Sequence, residues 1–222
     1  MSRAKNIFLA TICVFAGGAG IGIVVVENAF PPESLSEKKC VHVSIDDCWI
    51  SLSRLSSPQV KSIYDVPFFA NLRKWHESYG AKFTCYVYGG VGGNAPFSLK
   101  DVPAKFRGEF ADASDWLKFG FHATCNDIEK TKAQSADEFA ENFARINSEI
   151  DRFAGTCSRA KTLRLDYFFA KENWLQVIFS AGTQNLLGPD SAGRKAYSLD
   201  KTQSRQLWEL SLIHISEPTR PY

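Results

Sequence analysis

The sequence predicts an α/β fold, a parallel β/α barrel whose functional site lies where the strands end. From residue 40 onward, segments with the two-residue alternation of strands are followed by segments with the apolar spacing of amphipathic helices. Four of the predicted strands carry polar residues at or near their carboxyl ends. Alternating strands and helices favour a parallel sheet, and the sites of such barrels are built at the carboxyl ends of the strands.

The first strand of this domain is predicted over residues 40–45 and ends in two adjacent carboxylates. Its apolar residues alternate with polar ones, which is typical of a strand with two different faces. Asp46 and Asp47 follow directly. Because neighbouring carboxylates repel each other, the pair becomes favourable when a metal ion or a cationic side chain lies between them. A solvated Asp-Asp turn is the alternative that this stretch leaves open.

Capping residues and glycines predict the next elements. A helix is predicted to begin at Asp65-Val66-Pro67, because Asp caps helices and Pro is tolerated in the first turn, and to end at Gly80. The second strand is predicted over residues 82–88. The glycine-rich run 89–93 is interpreted as a strand-to-helix loop, because it lacks the Lys-Ser/Thr of a phosphate-binding loop.

The third and fourth strands each bring a basic side chain to the predicted site. A short helix near Trp116 leads into Gly120-Phe121-His122, so His122 ends a strand as Asp46 does. A capping box at Ser135 begins the following helix, and Arg164 lies in the fourth strand. The last predicted elements are that fourth strand over residues 161–167, a helix over 171–181 and a short strand near 183–187.

Composition excludes a nucleic-acid-binding protein. The chain has 222 residues, 45% hydrophobic and 23% charged, which suits one globular domain with a short extra segment. Its net charge is only +2, and Lys and Arg are scattered, so no basic patch is predicted. The six cysteines show no zinc-ribbon spacing. Cys48 and Cys125 each closely follow a candidate site residue, and a disulfide or a shared metal between them is a hypothesis.

Residues 1–27 are predicted to be a signal peptide or a membrane anchor. Arg3 and Lys5 precede an uncharged apolar run over residues 7–26, the order typical of export signals. A run of this length spans a bilayer as a helix, and without a clear cleavage site an uncleaved anchor is favoured. Both interpretations place the domain outside the cytoplasm, extracellular or anchored on the outer face of the membrane. Residues 28–39 are then a linker.

The C-terminal segment is predicted to be foreign to the domain. Residues 210–222 resemble the translation of a sequencing-adapter read-through and are interpreted as a non-native tail. The barrel domain then spans residues 40–209 and is incomplete at its C-terminus. A barrel that lacks its last strands has two open edges.

The strand-end motifs together resemble those of the polysaccharide deacetylase family, carbohydrate esterase family 4, over roughly residues 40–187. The first, second and third motifs of that family are similar to Ser44-Ile-Asp-Asp-Cys48, Phe119-Gly-Phe-His122 and Arg164-Leu-Asp-Tyr167. The resemblance implies a distorted β/α barrel and the removal of acetyl groups from an acetylated polysaccharide or cell-wall glycan. It also implies a divalent metal, usually zinc, that polarises the acetyl carbonyl and acidifies a water molecule.

The resemblance implies a role for each strand-end residue. Asp47 and His122 would be metal ligands, with Asn126 at the position of a second ligating histidine. Asp46 would be the general base, and Arg164 would pair with it and lower its pKa. Contacts with the glycan are expected from three further residues: Tyr167, Asp166 and Trp49. The backbone near the first of these would help to hold the oxyanion.

Departures from the family pattern leave two alternatives open. Cys48 replaces a glycine, Asn126 replaces a histidine although Asn is a poor zinc ligand, and the late motif with its general-acid histidine is not found. A catalytically inactive glycan-binding relative is one alternative. The other is a glycosidase that uses Asp46, Asp47 or Asp166, which requires carboxylates about 5–10 Å apart across a cleft.

Overall fold

The computed structural model describes residues 8–14, 39–93, 96–188 and, singly, Tyr197, Asp200 and Thr202. Strands and helices alternate along these residues in a mixed α/β fold. The strands are β1 Phe8–Val14, β2 Lys39–Ile45, β3 Lys82–Val91, β4 Phe97–Ser98, β5 Leu117–Cys125, β6 Thr162–Leu163 and β7 Asn185–Leu186. The helices are α1 Trp49–Arg54, α2 Pro67–Tyr79, α3 Arg107–Asp112, α4 Ile128–Ala133, α5 Ala136–Ala154 and α6 Glu172–Ser180.

The central sheet is mostly parallel, which confirms the predicted α/β class. Its parallel strands lie in the order β1, β2, β3 and β5. The short strand β4 pairs antiparallel with the end of β3. β6 and β7 form a second parallel pair. A bridge between Phe119 and Arg159 connects the approach to β6 with β5. Within the described residues no pairing joins β7 to β1, so the sheet is not shown as a closed barrel.

The N-terminal apolar segment differs from the prediction where the structure describes it. Residues Phe8–Val14, predicted to belong to an apolar helix, form β1 and pair with the whole of β2. The helix is therefore wrong for these residues, because an unbroken apolar run also suits a strand buried on both faces. No described helix is long and apolar enough to cross a membrane. The rest of residues 1–27, the linker except Lys39 and the tail 210–222 lie outside the described residues.

An aromatic core joins the long helix α5 to β5. The ring centroid of Phe121 lies 5.7 Å from that of Phe139 and 5.0 Å from that of Phe143, and the rings of Phe119 and Phe153 are 5.3 Å apart. All five rings are buried, and burying such a side chain contributes about 1.5–3 kcal/mol. The capping box that was predicted to begin this helix is present, and Gly155 follows its last residue. This core holds β5 rigidly beneath the strand ends.

The glycine-rich run after the second predicted strand is partly strand rather than loop. β3 continues through Gly89 and Gly90 to Val91. A Cβ atom at Gly89 would lie 2.6 Å from the Cδ1 atom of Ile146 and 2.9 Å from the carbonyl oxygen of Thr124. Glycine is therefore needed here because α5 and β5 approach the backbone of β3 closely.

The fourth predicted strand is much shorter than its alternating pattern indicates. β6 contains two residues, and the chain then turns at Asp166–Phe168. Tyr167 and Phe168 have φ values of 51° and 52°, in the left-handed region that residues other than glycine seldom adopt. Such a conformation costs about 1–3 kcal/mol and persists where surrounding contacts hold it. The strand therefore ends before Arg164, and Asp166 and Tyr167 lie within the turn itself.

Candidate active site

Polar side chains from three strand ends meet at one edge of the sheet. Because β2, β3 and β5 are parallel, their carboxyl ends share an edge, and β6 is bridged to β5 in the same direction. Close contacts connect the polar side chains that lie in or follow these strands. We call them the strand-end group, which comprises Asp46, Asp47, His122, Arg164 and Asp166.

Asp46 and Arg164 form a buried ion pair, as the resemblance implied. The Nη1 atom of Arg164 contacts the Oδ2 atom of Asp46, and the two side chains are 7% and 6% exposed. The guanidinium carbon also lies 4.5 Å from the ring centroid of Phe168. The second carboxylate oxygen, Oδ1 of Asp46, is buried and accepts no hydrogen bond from a described residue. One oxygen is thus held by a cation, while the other is buried and has no hydrogen-bond partner among the described residues.

His122 is aimed into the site by a β-bulge. Val87 pairs with Phe121, but Tyr88 pairs with Ala123, so His122 is the extra residue on β5. Bulges bend the strand and redirect a side chain, and they are frequent beside active sites. The imidazole is 3% exposed. Its position therefore depends on the register of β3 and β5.

A backbone carbonyl fixes the tautomer of His122. The Nδ1 atom lies 2.7 Å from the carbonyl oxygen of Arg164, which can only accept a hydrogen bond. Nδ1 therefore carries the hydrogen and donates, and in the neutral ring Nε2 holds a lone pair. Metal-ligating histidines are oriented in this way, with one ring nitrogen donating to a carbonyl and the other bound to the metal.

Two carboxylates face the Nε2 atom of His122. Oδ1 of Asp166 lies 3.6 Å from it and Oδ1 of Asp47 lies 4.0 Å from it, both beyond the usual 2.7–3.2 Å of an N–H···O hydrogen bond. Asp47 has a left-handed backbone, with φ of 56°, and its Oδ1 atom is buried without a hydrogen-bond partner. Two donors bound to one metal ion at about 2 Å lie about 3–3.5 Å from each other. To bind the same ion, each carboxylate oxygen would therefore have to move closer to Nε2 by a few tenths of an ångström or slightly more.

The donor types at this edge fit a divalent cation. Within the described residues no group of three or more His, Cys, Asp or Glu side chains is arranged as it stands to hold a metal ion. The orphaned Oδ1 atom of Asp47 and the lone pair on Nε2 of His122 are nevertheless the oxygen and nitrogen donors that such an ion prefers. A cation would satisfy both atoms at once.

Negative charge accumulates around Asp166 and Tyr88. The Tyr88 hydroxyl donates to Oδ2 of Asp166 across 3.4 Å. Burial raises the pKa of the Asp166 carboxyl, the neighbouring charge of Asp47 adds to the rise, and His122 opposes it. Burial and then the charges of Asp166 and Asp47 raise the pKa of the Tyr88 hydroxyl far above its ordinary value. Tyr88 therefore stays protonated and serves as a donor.

In the metal-free protein we expect Asp166→Asn to raise the thermal midpoint at neutral pH. The pKa of Asp166 is higher in the folded than in the unfolded chain, so its contribution to stability is fully present below the unfolded value of about 3.9 and is lost as pH rises through the folded value. The asparagine of the variant does not ionise, so the variant does not lose this stability as pH rises. Thermal unfolding in a chelator from pH 4 to 8 should show its advantage shrinking as pH falls. Exposed Asp115→Asn is the control, and a gap for Asp166→Asn that does not vary with pH would contradict the expectation.

The remaining predicted site residues lie at the margin of the strand-end group. Asn126 is exposed, and its Oδ1 atom accepts a long hydrogen bond of 3.5 Å from the Gly92 N–H rather than contacting His122. Tyr167 is 65% exposed in the turn after β6. Trp49 is half-buried, with its ring 6.1 Å from that of Phe97.

Sequence reasoning missed how Asp166 is used. It was expected to contact the glycan, and the structure places it beside His122 and Tyr88. The signal for Asp166 was its position two residues after Arg164 in an alternating segment. The signal for Tyr88 was its position near the end of a predicted strand. Neither pattern specifies that the two side chains meet.

Cys48 is buried and free, so the disulfide hypothesis is wrong. Cys48, Cys85, Cys125 and Cys157 are all free thiols among the described residues. The Cys48 thiol donates to the Ile45 carbonyl at 3.2 Å, where it closes the turn after β2. Burial raises the pKa of this thiol well above its ordinary value, and the neighbouring Cys85 thiol adds to the rise.

We expect Cys48 to resist alkylation in the folded protein while Cys157 reacts. The thiolate is the reactive form, and Cys48 is both inaccessible and hard to ionise, whereas Cys157 is exposed. With iodoacetamide at pH 8, peptide mapping by mass spectrometry should show Cys157 labelled more than about tenfold faster. In denaturant the two rates should converge. Equal labelling of the folded protein would show that the turn after β2 is open.

Comparison with known proteins adds no relative to this description. No protein-family model matches the chain, and no curated protein or solved structure matches it. What the chain does must therefore be inferred from the strand-end group itself.

Proposed function

We propose that this chain is a metal-dependent hydrolase that removes acetyl groups from an acetylated polysaccharide or cell-wall glycan. The observation that carries the proposal is a double pairing at one sheet edge: Asp46 with Arg164, and Nε2 of His122 facing Oδ1 of Asp47. These pairings are the ones that the resemblance to polysaccharide deacetylases requires. The matching architecture is the distorted β/α barrel of that family, and the parallel order of the described strands is compatible with it.

Asp46 is the general base in this proposal. It takes a proton from the water molecule whose oxygen attacks the acetyl carbon, so it must be ionised and must have a free oxygen. The Arg164 guanidinium favours the ionised form through Oδ2, and Oδ1 accepts no hydrogen bond within the described residues. Phe168 packs against the guanidinium and helps to hold it in place. Arg164 is thus a positioning residue for the base.

His122 and Asp47 are the donors that would hold the cation. When bound, a divalent metal supplies Lewis-acid activation of the acetyl carbonyl. The hydrogen bond from Nδ1 to the Arg164 carbonyl orients the imidazole before any ligand arrives. Arg164 therefore contacts Asp46 with its side chain and His122 with its main chain, which supports a base and a metal ligand that act close together.

Two aromatic side chains and the N-terminal segment support a glycan substrate and a location outside the cytoplasm. Tyr167 follows the arginine by three residues and is the exposed ring nearest to it in the chain, while Trp49 lies two residues after Asp47. Apolar ring faces with polar edges suit sugar rings. The order of basic and apolar residues at the N-terminus supports an extracellular or membrane-anchored setting, where cell-wall glycans are met, although Phe8–Val14 of that segment pair with β2 rather than forming a helix.

Two other functions fit less of the geometry. A glycosidase needs two carboxylates that face each other across a sugar, whereas Asp47 and Asp166 converge on one imidazole. A glycan-binding protein without turnover is the second candidate, and the exposed position of Asn126 favours it, because that residue brings no third donor to His122.

Acetate release from defined glycans tests the proposal. The full chain is incubated with N-acetylglucosamine oligomers or O-acetylated xylan, with Zn²⁺ or Mn²⁺ added or with a chelator. We expect acetate release that stops in chelator and returns with metal. New reducing ends without acetate would instead identify a glycosidase. Glycan binding with neither product would identify the inactive relative.

A further inference from the structure

We infer that Asp166, rather than Asn126, supplies the third protein donor to the cation site. The set would then be two carboxylates and one imidazole, from Asp47, Asp166 and His122. The inference deepens the proposed function and rests on it for the catalytic use of the cation. Binding of the cation is a separate property that can be measured without any substrate.

Asp166 is closer to the imidazole than the ligand that the resemblance names. Its Oδ1 atom lies 3.6 Å from Nε2 of His122, against 4.0 Å for Oδ1 of Asp47. The Asp166 side chain is 12% exposed, and the Tyr88 hydroxyl holds its other oxygen at 3.4 Å. Asn126 in contrast is exposed and bonded to the loop after β3. The carboxylate is therefore presented to the histidine and the amide is not.

The atoms that face one another at this point are all acceptors. Because Nδ1 of His122 donates to a carbonyl, Nε2 of the neutral ring has a lone pair, as do the carboxylate oxygens of Asp47 and Asp166. An imidazolium that donated from Nε2 would need an acceptor closer than 3.6 Å. The Oδ1 atom of Asp47 is also buried, and it has no hydrogen-bond partner among the described residues. A cation between the three atoms would give it a partner.

Two residue identities fit this exchange of ligands. The chain carries Asn126 where the resemblance expects an imidazole, and it carries a carboxylate, Asp166, two residues after Arg164. A carboxylate in place of an imidazole adds a negative charge and replaces a nitrogen ligand with a harder oxygen ligand. Such a ligand set suits Mn²⁺ better than a set rich in imidazoles does. We therefore expect Mn²⁺ as well as Zn²⁺ to bind, although the general affinity order still favours Zn²⁺.

Equilibrium binding of Mn²⁺ to the full chain tests the inference. Mn²⁺ is the probe because free thiols such as Cys157 bind it poorly, and the paramagnetic signal of the free ion reports occupancy. We expect one ion per wild-type chain. Asp166→Asn should weaken binding by at least about tenfold, and Asn126→Ala should change it by less than about twofold. Asp115→Asn, which removes an exposed carboxylate, is the matched charge control.

The outcomes separate this inference from the proposed function. Weakening by Asn126→Ala but not by Asp166→Asn would overturn it, as would a wild-type chain that binds no Mn²⁺. Asp166→Ser repeats the test with a smaller side chain. The binding result is taken from whichever variant keeps the wild-type circular dichroism spectrum and is therefore folded. Loss of the fold in both variants counts against the inference, because this carboxylate is expected to destabilise the metal-free chain. If Asp166→Asn weakens Mn²⁺ binding but the wild-type chain releases no acetate, the cation site is upheld and the proposed deacetylase activity is refuted.

Discussion

Asp46→Asn is expected to lower kcat/KM for acetate release by about 10²- to 10⁴-fold, the usual contribution of a positioned general base. The amide has nearly the shape of the carboxylate and can still accept a hydrogen bond from Arg164, but it cannot take a proton from water. Steady-state acetate release measures the effect. Mn²⁺ affinity should stay within about twofold of the wild-type value, because Asp46 is not one of the three inferred donors.

The controls for this variant separate a lost base from a damaged site. Asp115→Asn should leave kcat/KM unchanged, because its carboxylate is exposed and outside the strand-end group. The pH profile gives a second readout, since the acidic limb set by the base should disappear in Asp46→Asn. Activity within about threefold of wild type would place the base elsewhere and remove the central role given to the buried pair.

Arg164→Met should destabilise the fold by about 3–5 kcal/mol, because it leaves the buried carboxylate of Asp46 without its cation. The long apolar side chain preserves part of the contact with Phe168, so the loss reports mainly the unpaired charge. Urea unfolding with linear extrapolation measures the free energy of unfolding. The double variant Asp46→Asn/Arg164→Met should recover a large part of the loss, since neither charge then remains buried.

The exposed pair Arg73–Glu77 supplies a matched control. Its atoms are 2.7 Å apart, its side chains are 52% and 59% exposed, and the guanidinium lies over the ring of Tyr64 as that of Arg164 lies over Phe168. Arg73→Met should therefore cost less than about 1 kcal/mol, because solvent screens the pair. If the two variants lose the same free energy, the Asp46–Arg164 pair is more hydrated than its burial indicates.

Local signals in the sequence predicted much of the fold. The Pro67 and Gly80 signals placed α2, and the capping box at Ser135 placed the beginning of α5, because caps depend on a few neighbouring residues. The pairing of Asp46 with Arg164 was implied by the resemblance to polysaccharide deacetylases. Strand adjacency alone did not predict it, because the described strands β2 and β6 do not pair with each other.

Other features depend on contacts that periodicity does not encode. Phe8–Val14 was predicted as helix because an apolar run does not reveal whether its backbone pairs with itself or with a neighbouring strand. The bulge at His122 arises from the pairing of β3 with β5, which neither strand shows alone. Asp166 lies beside His122 at the start of a turn whose next residue, Tyr167, is left-handed, and tyrosine is not a residue that signals such a turn.

Arg164 contacts two members of the strand-end group at once, and this has a mechanical consequence. Its guanidinium pairs with Asp46 while its carbonyl accepts a hydrogen bond from His122, so one residue links the end of β2 to β5. A substitution of the arginine side chain removes the ion pair but leaves the carbonyl in place. Under the proposed function, loss of this arginine would therefore reduce turnover before it disturbed the orientation of the imidazole.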